Sequence, residues 1–343
     1  MKTHAIIPIF IPHNGCPHDC IFCNQRRITA RTETPSEADI EALIERNLAT
    51  IESRGIKEVE VAFFGGSFTG LPIDEQSRLL KSAVKYKEGG RILRIRLSTR
   101  PDYIDSAIID NLKAHMVDAV ELGAQSFDDG VLIASGRGHT ATQTVAALES
   151  LKAAGFETTL QLMSGLPSST HQKDVNSAIK AAALLPTAAR LYPTVILKDT
   201  ALYDMFTTGA YVPPTPSEML ETVKQMYLIL EKAGIKILRV GLKSTDVINA
   251  SSDAISGSYH PAFRQLIEGS IAYDKITSLL SEANKKCPPT RSILIYSNPD
   301  SISNAAGHNG INRKLLQATY PGVIIKFQPN NALSTGSFKV LVE

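Results

Sequence analysis

Short apolar runs alternate with amphipathic stretches over the first 240 residues of the chain. The runs that predict strands are 5–11, 58–64, 92–98, 118–124, 157–163, 189–195 and 236–242. Between them apolar residues recur at intervals of three and four, which is typical of helices and clearest over 35–52, 140–155 and 215–234. Thr140 is suited to cap one of these helices, and Gly155 and Gly234 are suited to end two of them.

This alternation of strands and helices predicts an α/β fold with parallel strands and right-handed crossovers. A doubly wound sheet and a barrel both satisfy it, and in a barrel functional residues gather where strands end. After about residue 245 a polar, turn-rich stretch (244–259) leads to a helical pattern over 261–286 and strands over 293–297, 323–328 and 337–342. We therefore expect one domain over 1–243, and a linker with a small C-terminal α/β extension over 244–343.

The amino-acid composition excludes some classes of protein but does not identify the function. Of the 343 residues 43% are hydrophobic and 20% are charged, and the formal net charge is +2, which is typical of a globular protein with no general attraction to nucleic acid. No apolar run approaches ~20 residues, so neither a transmembrane helix nor a membrane partner is expected. Four cysteines, three of them clustered, do not resemble a secreted disulfide framework, so a reducing cytoplasm is the expected compartment.

The stretch GCPHDCIFCNQ (15–25) places Cys16, Cys20 and Cys23 in one loop after the first strand. A structural zinc site takes four ligands, usually from two pairs, and a second pair is absent; only His13, His18 and the distant Cys287 remain as candidates. A 4Fe–4S cluster held by three cysteines keeps one iron open to a small molecule. A zinc or mononuclear iron loop remains the alternative, and Cys287 is expected to be a structural or surface thiol.

The spacing CxxxCxΦC, with the aromatic Phe22 before the last cysteine, resembles the radical S-adenosylmethionine (radical SAM) superfamily. The resemblance implies a partial parallel (β/α)6 TIM-like barrel, a 4Fe–4S cluster and S-adenosylmethionine on the open iron. Reductive cleavage of the C5′–S bond would then give a 5′-deoxyadenosyl radical that abstracts hydrogen from a substrate. It also implies a small electron donor such as flavodoxin or ferredoxin as a partner, and Phe22 as part of the cofactor site.

Motifs after later strands fit the same cofactor. Gly65, Gly66 and Ser67 follow the second strand, where the resemblance places the amino group of the methionine moiety; a plain tight turn is the alternative.

Polar residues near the ends of the third to fifth strands add to the expected cofactor site. Compared with the oxygen-independent coproporphyrinogen oxidase branch, Gln125 and Arg137 match cofactor-contacting positions, whereas Ser98 and Gln161 stand where that branch has Glu and Asp. Each could instead be a core residue satisfied by protein partners.

Substrate contacts are predicted for Glu121, Arg100, Tyr259 and His260. Alternation places Glu121 on the same strand face as Gln125, so its carboxylate could bind substrate or pair with Arg100 or Arg137. Tyr259, His260 and Arg264 could close the barrel mouth over a substrate, although a linker residue bonded to backbone is the favoured interpretation of His260.

Several longer strings indicate the branch of the superfamily. FFGGSFTGL, STRPDYID, VELGAQSFDDGVL, GRGHT and LYPTVILKDTALYDMFTTGAY, within roughly 5–240, resemble the radical domain of the catalytic subunit of the tRNA-modifying complex Elongator. Members with that subunit's full activity also carry an acetyltransferase domain and a basic N-terminal segment, and we expect neither here.

Three functions therefore stay open. The favoured one is hydrogen abstraction from a small metabolite or cofactor precursor; the second is modification of tRNA; the third is a non-enzymatic iron–sulfur or zinc redox sensor. The basic residues Arg26, Arg27, Arg31, Arg91, Arg94, Arg96 and Arg100 are expected to be solvated or to complement helix dipoles rather than to bind RNA.

Overall fold

Seven parallel strands form one curled sheet in which the order of the strands follows the order of the chain. In the computed structural model, residues 3–11, 20–23, 34–242, 254–255, 259–285 and 291–343 are described, the pair 254–255 by its backbone alone. The sheet order is β1 (His4–Ile11), β2 (Glu58–Gly65), β3 (Arg94–Thr99), β4 (Ala119–Gln125), β5 (Glu157–Ser164), β6 (Ala188–Pro193) and β8 (Lys236–Val240). All the predicted strands are confirmed, and the half barrel has one strand more than the six units that the resemblance implies.

Helices connect successive strands of the sheet. They are α1 (Glu37–Ser53), α2 (Ile73–Glu88), α3 (Ser106–Ala114), α4 (Asp129–Ala134), α5 (Ala141–Ala153), α6 (His171–Ala183), α7 (Ala201–Thr207) and α8 (Pro216–Lys232). A two-residue strand, β7 (Ile196–Leu197), pairs antiparallel with β9 (Ala254–Ile255).

Polar residues at the predicted starts of three helices cap those helices. Ser36, Thr140 and Thr215 each form a capping box, in which the cap side chain and the third helical residue satisfy one another's backbone N–H groups. Such caps fix the start of each helix and hence the length of each loop at the carboxyl edge of the sheet.

The two faces of the sheet differ in chemistry. One face is apolar and buried against the helices, and its residues include Ile7, Ile9, Ile11, Val59, Val61, Phe63, Ile95, Leu97, Val120, Leu122, Leu160 and Leu162. We call the opposite face the interior face; the strand register aligns Ile6 with Glu60 and Gln161 with Arg190 there. The polar residues that the strands carry therefore collect on the concave side of the half barrel.

The chain divides into two compact units, Met1–Tyr259 and His260–Glu343. The second contains α9 (Phe263–Asn284), α10 (Ile302–Ala306), α11 (Ile311–Thr319) and a three-stranded sheet in the order β11 (Ile324–Pro329), β10 (Ser292–Ser297), β12 (Phe338–Val342). This is the predicted small α/β extension. The predicted domain boundary at 243/244 lies outside the described residues and stays a prediction. Among the described helices, none combines the length and the apolar character that a bilayer crossing requires.

Candidate active site at the carboxyl edge of the sheet

The described part of the cysteine loop is a tight turn over residues 20–23. The amide of Cys23 donates to the carbonyl of Cys20 at 2.9 Å. The amide of Ile21 donates to the carbonyl of Ser135 at 3.2 Å, and its carbonyl accepts from the amide of Leu202 at 2.9 Å. Cys16 lies outside the described residues, as do His13, His18, Cys287, Arg26, Arg27 and Arg31.

Phe22 anchors this turn to the ends of the later strands. Its ring packs against a buried apolar cluster that includes Val131, Met163 and Leu166. The aromatic residue of the motif therefore contributes to the fold of the loop, because removing its apolar surface from water holds the turn on the sheet edge.

Arg137 joins the cysteine turn to β4. Its guanidinium donates to the Sγ of Cys20 at 3.1 Å and to the carbonyl of Gly123 at 2.6 Å. The guanidinium of Arg100 in turn donates to the carbonyl of Arg137. Cys20 and Arg137 are each only 5% exposed, so a thiol and a cation that the sequence separates by more than a hundred residues meet in a buried position.

The glycines after β2 approach backbone rather than open space. A Cβ on Gly65, whose φ is +108°, would lie 2.3 Å from the carbonyl oxygen of Ile11, and the amide of Gly66 donates to that oxygen at 3.0 Å. The hydroxyl of Ser67 lies 2.8 Å from that of Thr99 and accepts from the amide of Arg100 at 3.2 Å. The close approach thus locks the end of β2 to the end of β1, beside the start of the cysteine loop.

Gln125 on β4 and Gln161 on β5 meet side by side. The Gln161 amide nitrogen donates to the Gln125 side-chain oxygen at 3.1 Å. Gln125 is 4% exposed and has a φ of +64°, an uncommon conformation for a residue other than glycine. A register shift between Leu122 and Gln125 turns the end of β4 at this point.

Glu121 has a different partner from the two that the sequence suggested. Its carboxylate lies 2.8 Å from the guanidinium of Arg190 on β6, not against Arg100 or Arg137. Burial raises the pKa of Glu121, while the charges of Arg190 and Arg96 oppose that increase. Ser98 is the register partner of Glu121 on β3, so the two residues lie on the same, interior face.

Arg100 is also placed otherwise than predicted. Its guanidinium forms a two-point ion pair with the carboxylate of Asp102, at 3.0 and 2.9 Å. Because the two residues are only two positions apart, this pair stays at the carboxyl end of β3, and Arg100 stabilises that end and the carbonyl of Arg137.

The arginines between residues 91 and 100 are all engaged by carboxylates. Arg91 pairs with Glu45 and Glu52, Arg94 with Glu157, Arg96 with Glu60, and Arg100 with Asp102. This run is therefore a set of ion pairs with carboxylates, rather than the solvated or dipole-complementing set that the sequence suggested.

Tyr259 and His260 fall in different compact units. Tyr259 packs against Val195 and Leu197 of the first unit. In the second unit the Nδ1 of His260 accepts from the amide of Ala262 at 3.1 Å, and its ring meets the ring of His308 edge-on at 5.0 Å between centroids. Burial, with a smaller contribution from His308, lowers the pKa of His260. The backbone bond matches the alternative reading of His260 as a linker residue.

Sequence reasoning missed Asp174, a buried carboxyl group that holds the end of β5. It accepts from the amide of Gly165 at 2.8 Å and from the hydroxyl of Ser169 at 2.5 Å. Burial raises its pKa to about 6, although both hydrogen bonds act in the opposite direction. An Asp one turn into a helix after a Ser/Thr cap was the available sequence signal, but it resembles an ordinary helix start.

The donor set at the edge fits an iron–sulfur cluster and an anionic ligand. Two thiols, Cys20 and Cys23, lie on one turn, and thiolates are the usual ligands of such clusters. The Nε of Arg137 is buried and has no hydrogen-bond partner in the described part of the chain, so a donor remains for a carboxylate or hydroxyl. Within that part alone, no three His, Cys, Asp or Glu side chains converge as metal ligands.

Two family models match the chain in succession. The model of the radical SAM superfamily matches residues 10–178, and the model of the radical SAM C-terminal domain matches residues 186–273. Together they cover most of the first unit and reach into the second.

Similar proteins include two kinds of curated relative. Elongator complex protein 3 of Mus musculus is 26% identical over 195 residues, which are 51% of this chain and 36% of that protein. The tRNA uridine(34) acetyltransferase of Methanocaldococcus infernus is 24% identical over 266 residues, which are 66% of this chain and 50% of that protein. The chain thus spans about a third to a half of the length of these relatives.

A solved structure shares the fold. An N-terminally truncated Elp3 from Methanocaldococcus infernus superposes with a TM-score of 0.63 at 21% identity, over 80% of this chain and 64% of that one. With the two family models and the curved parallel sheet, this likeness identifies the fold as the one the cysteine motif indicates. The chain belongs to the radical SAM superfamily of enzymes.

Proposed function

We propose that the protein binds a 4Fe–4S cluster through Cys16, Cys20 and Cys23 and binds S-adenosylmethionine along the carboxyl edge of the sheet. The observation that carries the proposal is the buried junction of Cys20, Arg137 and the end of β4. The cluster and S-adenosylmethionine, when bound, supply one-electron cleavage of the C5′–S bond and a 5′-deoxyadenosyl radical that abstracts hydrogen from substrate.

The residues of the edge would bind and orient S-adenosylmethionine. Arg137 offers a guanidinium already fixed by the Gly123 carbonyl, so little conformational freedom is lost when it meets a carboxylate. Gln125 and Gln161 present an amide pair whose remaining donors and acceptors suit ribose hydroxyls. The backbone of Gly65 and Gly66, locked to Ile11, supplies a rigid wall for the amino end.

The apolar packing beside the turn would exclude water from the radical chemistry. Phe22 covers this side together with Met163 and Leu166, while Tyr192 packs on the same cluster. An unselective radical abstracts hydrogen from any nearby group. A closed, apolar environment therefore directs it to the substrate.

The substrate would bind on the interior face of the half barrel. A small metabolite or cofactor precursor remains the favoured substrate. RNA is a second candidate because the relatives include a tRNA uridine(34) acetyltransferase, which by its name acts on tRNA. The paired arginines between residues 91 and 100 give RNA no unpaired phosphate contacts from that run.

The radical chemistry is tested by anaerobic reconstitution of the full chain. We expect about four irons per chain and formation of 5′-deoxyadenosine after addition of dithionite and S-adenosylmethionine. A Cys16→Ala/Cys20→Ala/Cys23→Ala variant should lose both, whereas Cys287→Ala, as the matched control, should retain them. One bound zinc, or a cluster that never cleaves S-adenosylmethionine, would instead support a structural or redox-sensing loop.

The RNA candidate is tested by filter binding of tRNA across a salt series. Binding to RNA phosphates weakens steeply as salt rises, because counterions are released on binding. No salt-dependent binding at micromolar protein would exclude tRNA as the substrate.

A further inference from the structure

The interior face of the half barrel carries its charges as cross-strand pairs. Glu60 pairs with Arg96, Glu121 with Arg190 and Glu157 with Arg94. A fourth carboxylate, Glu58, is exposed at the amino end of β2. Pairing of this kind is required because an isolated ion in a buried position loses its hydration without compensation.

Arg239 on β8 departs from this pattern. It is the register partner of Arg190, whose side chain reaches Glu121 on the interior face, so Arg239 lies on the same face of the sheet. It is partly buried, and in the part of the chain that the structure describes no hydrogen bond or ion pair engages it. Ile237 and Val240 are buried and pair in register with Ala189 and Leu191 on the apolar face; a register shift between Ala189 and Arg190 places Arg239 on the face opposite to Ile237.

Among the described residues, none forms an ion pair with Arg239. The nearest interior cation in register, Arg190, already has its carboxylate 2.8 Å away in Glu121. Gln161, which continues the same row onto β5, is neutral and bonded to Gln125. A partly desolvated guanidinium without a carboxylate is stabilised most by an anion, since its planar donors match a carboxylate or phosphate at two points.

We propose that Arg239 binds an anionic group, a carboxylate or a phosphate, of the substrate that enters the half barrel. The identification of this ligand as a substrate rests on the proposed function. Arg190 and Arg239 then form the polar side of the substrate site, next to Gln161 of the cofactor site, and of these three residues only Arg239 lacks a partner among the described residues. Arg190 positions this side through Glu121 and is not itself the anion contact.

The test measures anion binding by the reconstituted full-length protein, held oxidised and saturated with S-adenosylmethionine. The probes are inorganic phosphate and succinate, each followed by equilibrium dialysis at low ionic strength. Arg239→Gln should weaken binding of the preferred probe at least about tenfold. Arg239→Lys should keep part of the affinity, because it retains the charge without the two-point geometry. The probe that binds more tightly identifies the anion as phosphate or carboxylate.

Lys236→Gln is the matched control, because it removes the same charge from the same strand at an exposed position. It should leave the affinity unchanged. If Lys236→Gln and Arg239→Gln lost affinity for the probe equally, the effect would come from general surface charge and the proposal would be overturned. Unchanged binding in Arg239→Gln, absence of saturable binding by the wild type at millimolar probe, or loss of binding once S-adenosylmethionine is present would also overturn it.

The failure of this proposal and that of the radical chemistry are distinguishable. Formation of 5′-deoxyadenosine by the wild-type protein, in the absence of any probe, measures the radical chemistry separately from anion binding. A protein that binds the probes through Arg239 but never cleaves S-adenosylmethionine would retain the anion site and lose the proposed function.

Discussion

Two arginines on the interior face of the half barrel and one arginine at its carboxyl edge have opposite kinds of partner. On the interior face, Arg96 and Arg190 are closed off by Glu60 and Glu121 on other strands. At the edge, Arg137 has no carboxylate partner among the described residues and donates instead to a carbonyl and to the thiol of Cys20. Its charge also acts on His139, whose pKa is lowered to about 4 by burial and, secondarily, by Arg137.

The difference separates cations that stabilise the sheet from cations that are available to a ligand. A carboxylate in the fold neutralises an arginine permanently, whereas a carbonyl or a thiol leaves most of the charge for an incoming anion. By this criterion Arg137 and Arg239 are the binding arginines of the half barrel, and Arg94, Arg96 and Arg190 are structural. Substitutions at the two regions should therefore have different consequences.

The largest loss of stability should come from breaking an interior pair. Arg190→Met leaves the carboxylate of Glu121, which is 3% exposed, without its cation. We expect a decrease of about 3–5 kcal/mol in the free energy of unfolding at neutral pH, measured by urea denaturation. The double variant Glu121→Leu/Arg190→Met should recover most of that loss, because it removes both buried charges.

A control for this pair is Arg94→Gln, which opens the more exposed Arg94–Glu157 pair. The two side chains are 33% and 47% exposed, so solvent screening should keep the loss below about 1 kcal/mol. If Arg190→Met cost no more than Arg94→Gln, the inference that burial makes the Glu121–Arg190 pair important for stability would be wrong.

At the edge, the expected loss arises from backbone crowding rather than from charge. Gly65→Ala would force a methyl group against the Ile11 carbonyl at a positive φ, and roughly 3 kcal/mol of destabilisation should follow. Thermal unfolding of the apoprotein measures this without involving the cofactors. Gly55→Ala is the control, because Gly55 also has a positive φ but open space around it; it should cost only about 1 kcal/mol.

A smaller effect should appear in the pH dependence of stability, through Asp174. In the folded protein it keeps its proton up to about pH 6, whereas its usual pKa is 3.8. Between these values the folded state binds more protons than the unfolded one, so stability falls as pH rises. The full loss is reached above pH 6, and the change between pH 4 and pH 6 should be about 2 kcal/mol.

Asp174→Asn should remove this pH dependence, because the amide is neutral throughout and its oxygen can still accept from Gly165. Urea unfolding of wild type and variant at several pH values tests the expectation. An equally steep pH dependence in the variant would show that other groups, not Asp174, produce it.

Much of the fold was predictable because its signals are local. Thr140 caps the helix that its sequence position suggests, and Gly155, with a φ of +90°, follows the end of that helix. The alternation of β4 placed Glu121 on the interior face together with its register partner Ser98. These features depend on residues a few positions apart, so hydrophobic periodicity and capping residues are enough to predict them.

The partners across the sheet were not predictable in the same way. Glu121 reaches Arg190, two strands away, across β5, where its own register partner is Thr159 and that of Arg190 is Gln161. The sequence offered Arg100 and Arg137 as nearer choices, but Arg100 is held by Asp102 two positions on. Which cation meets which carboxylate depends on register and curvature, and these follow from the whole sheet rather than from any segment.

The strands of the large sheet lie in the order in which they occur in the chain, and this order affects folding during synthesis. Each strand of the large sheet pairs first with the strand that precedes it in the chain, so a nascent chain can extend the sheet one unit at a time as it leaves the ribosome. The central strands gain a partner on both sides, whereas β1 and β8 have one each within this sheet. Amide hydrogen exchange should therefore be slowest in β3, β4 and β5 and fastest in the two outer strands, one of which carries Arg239.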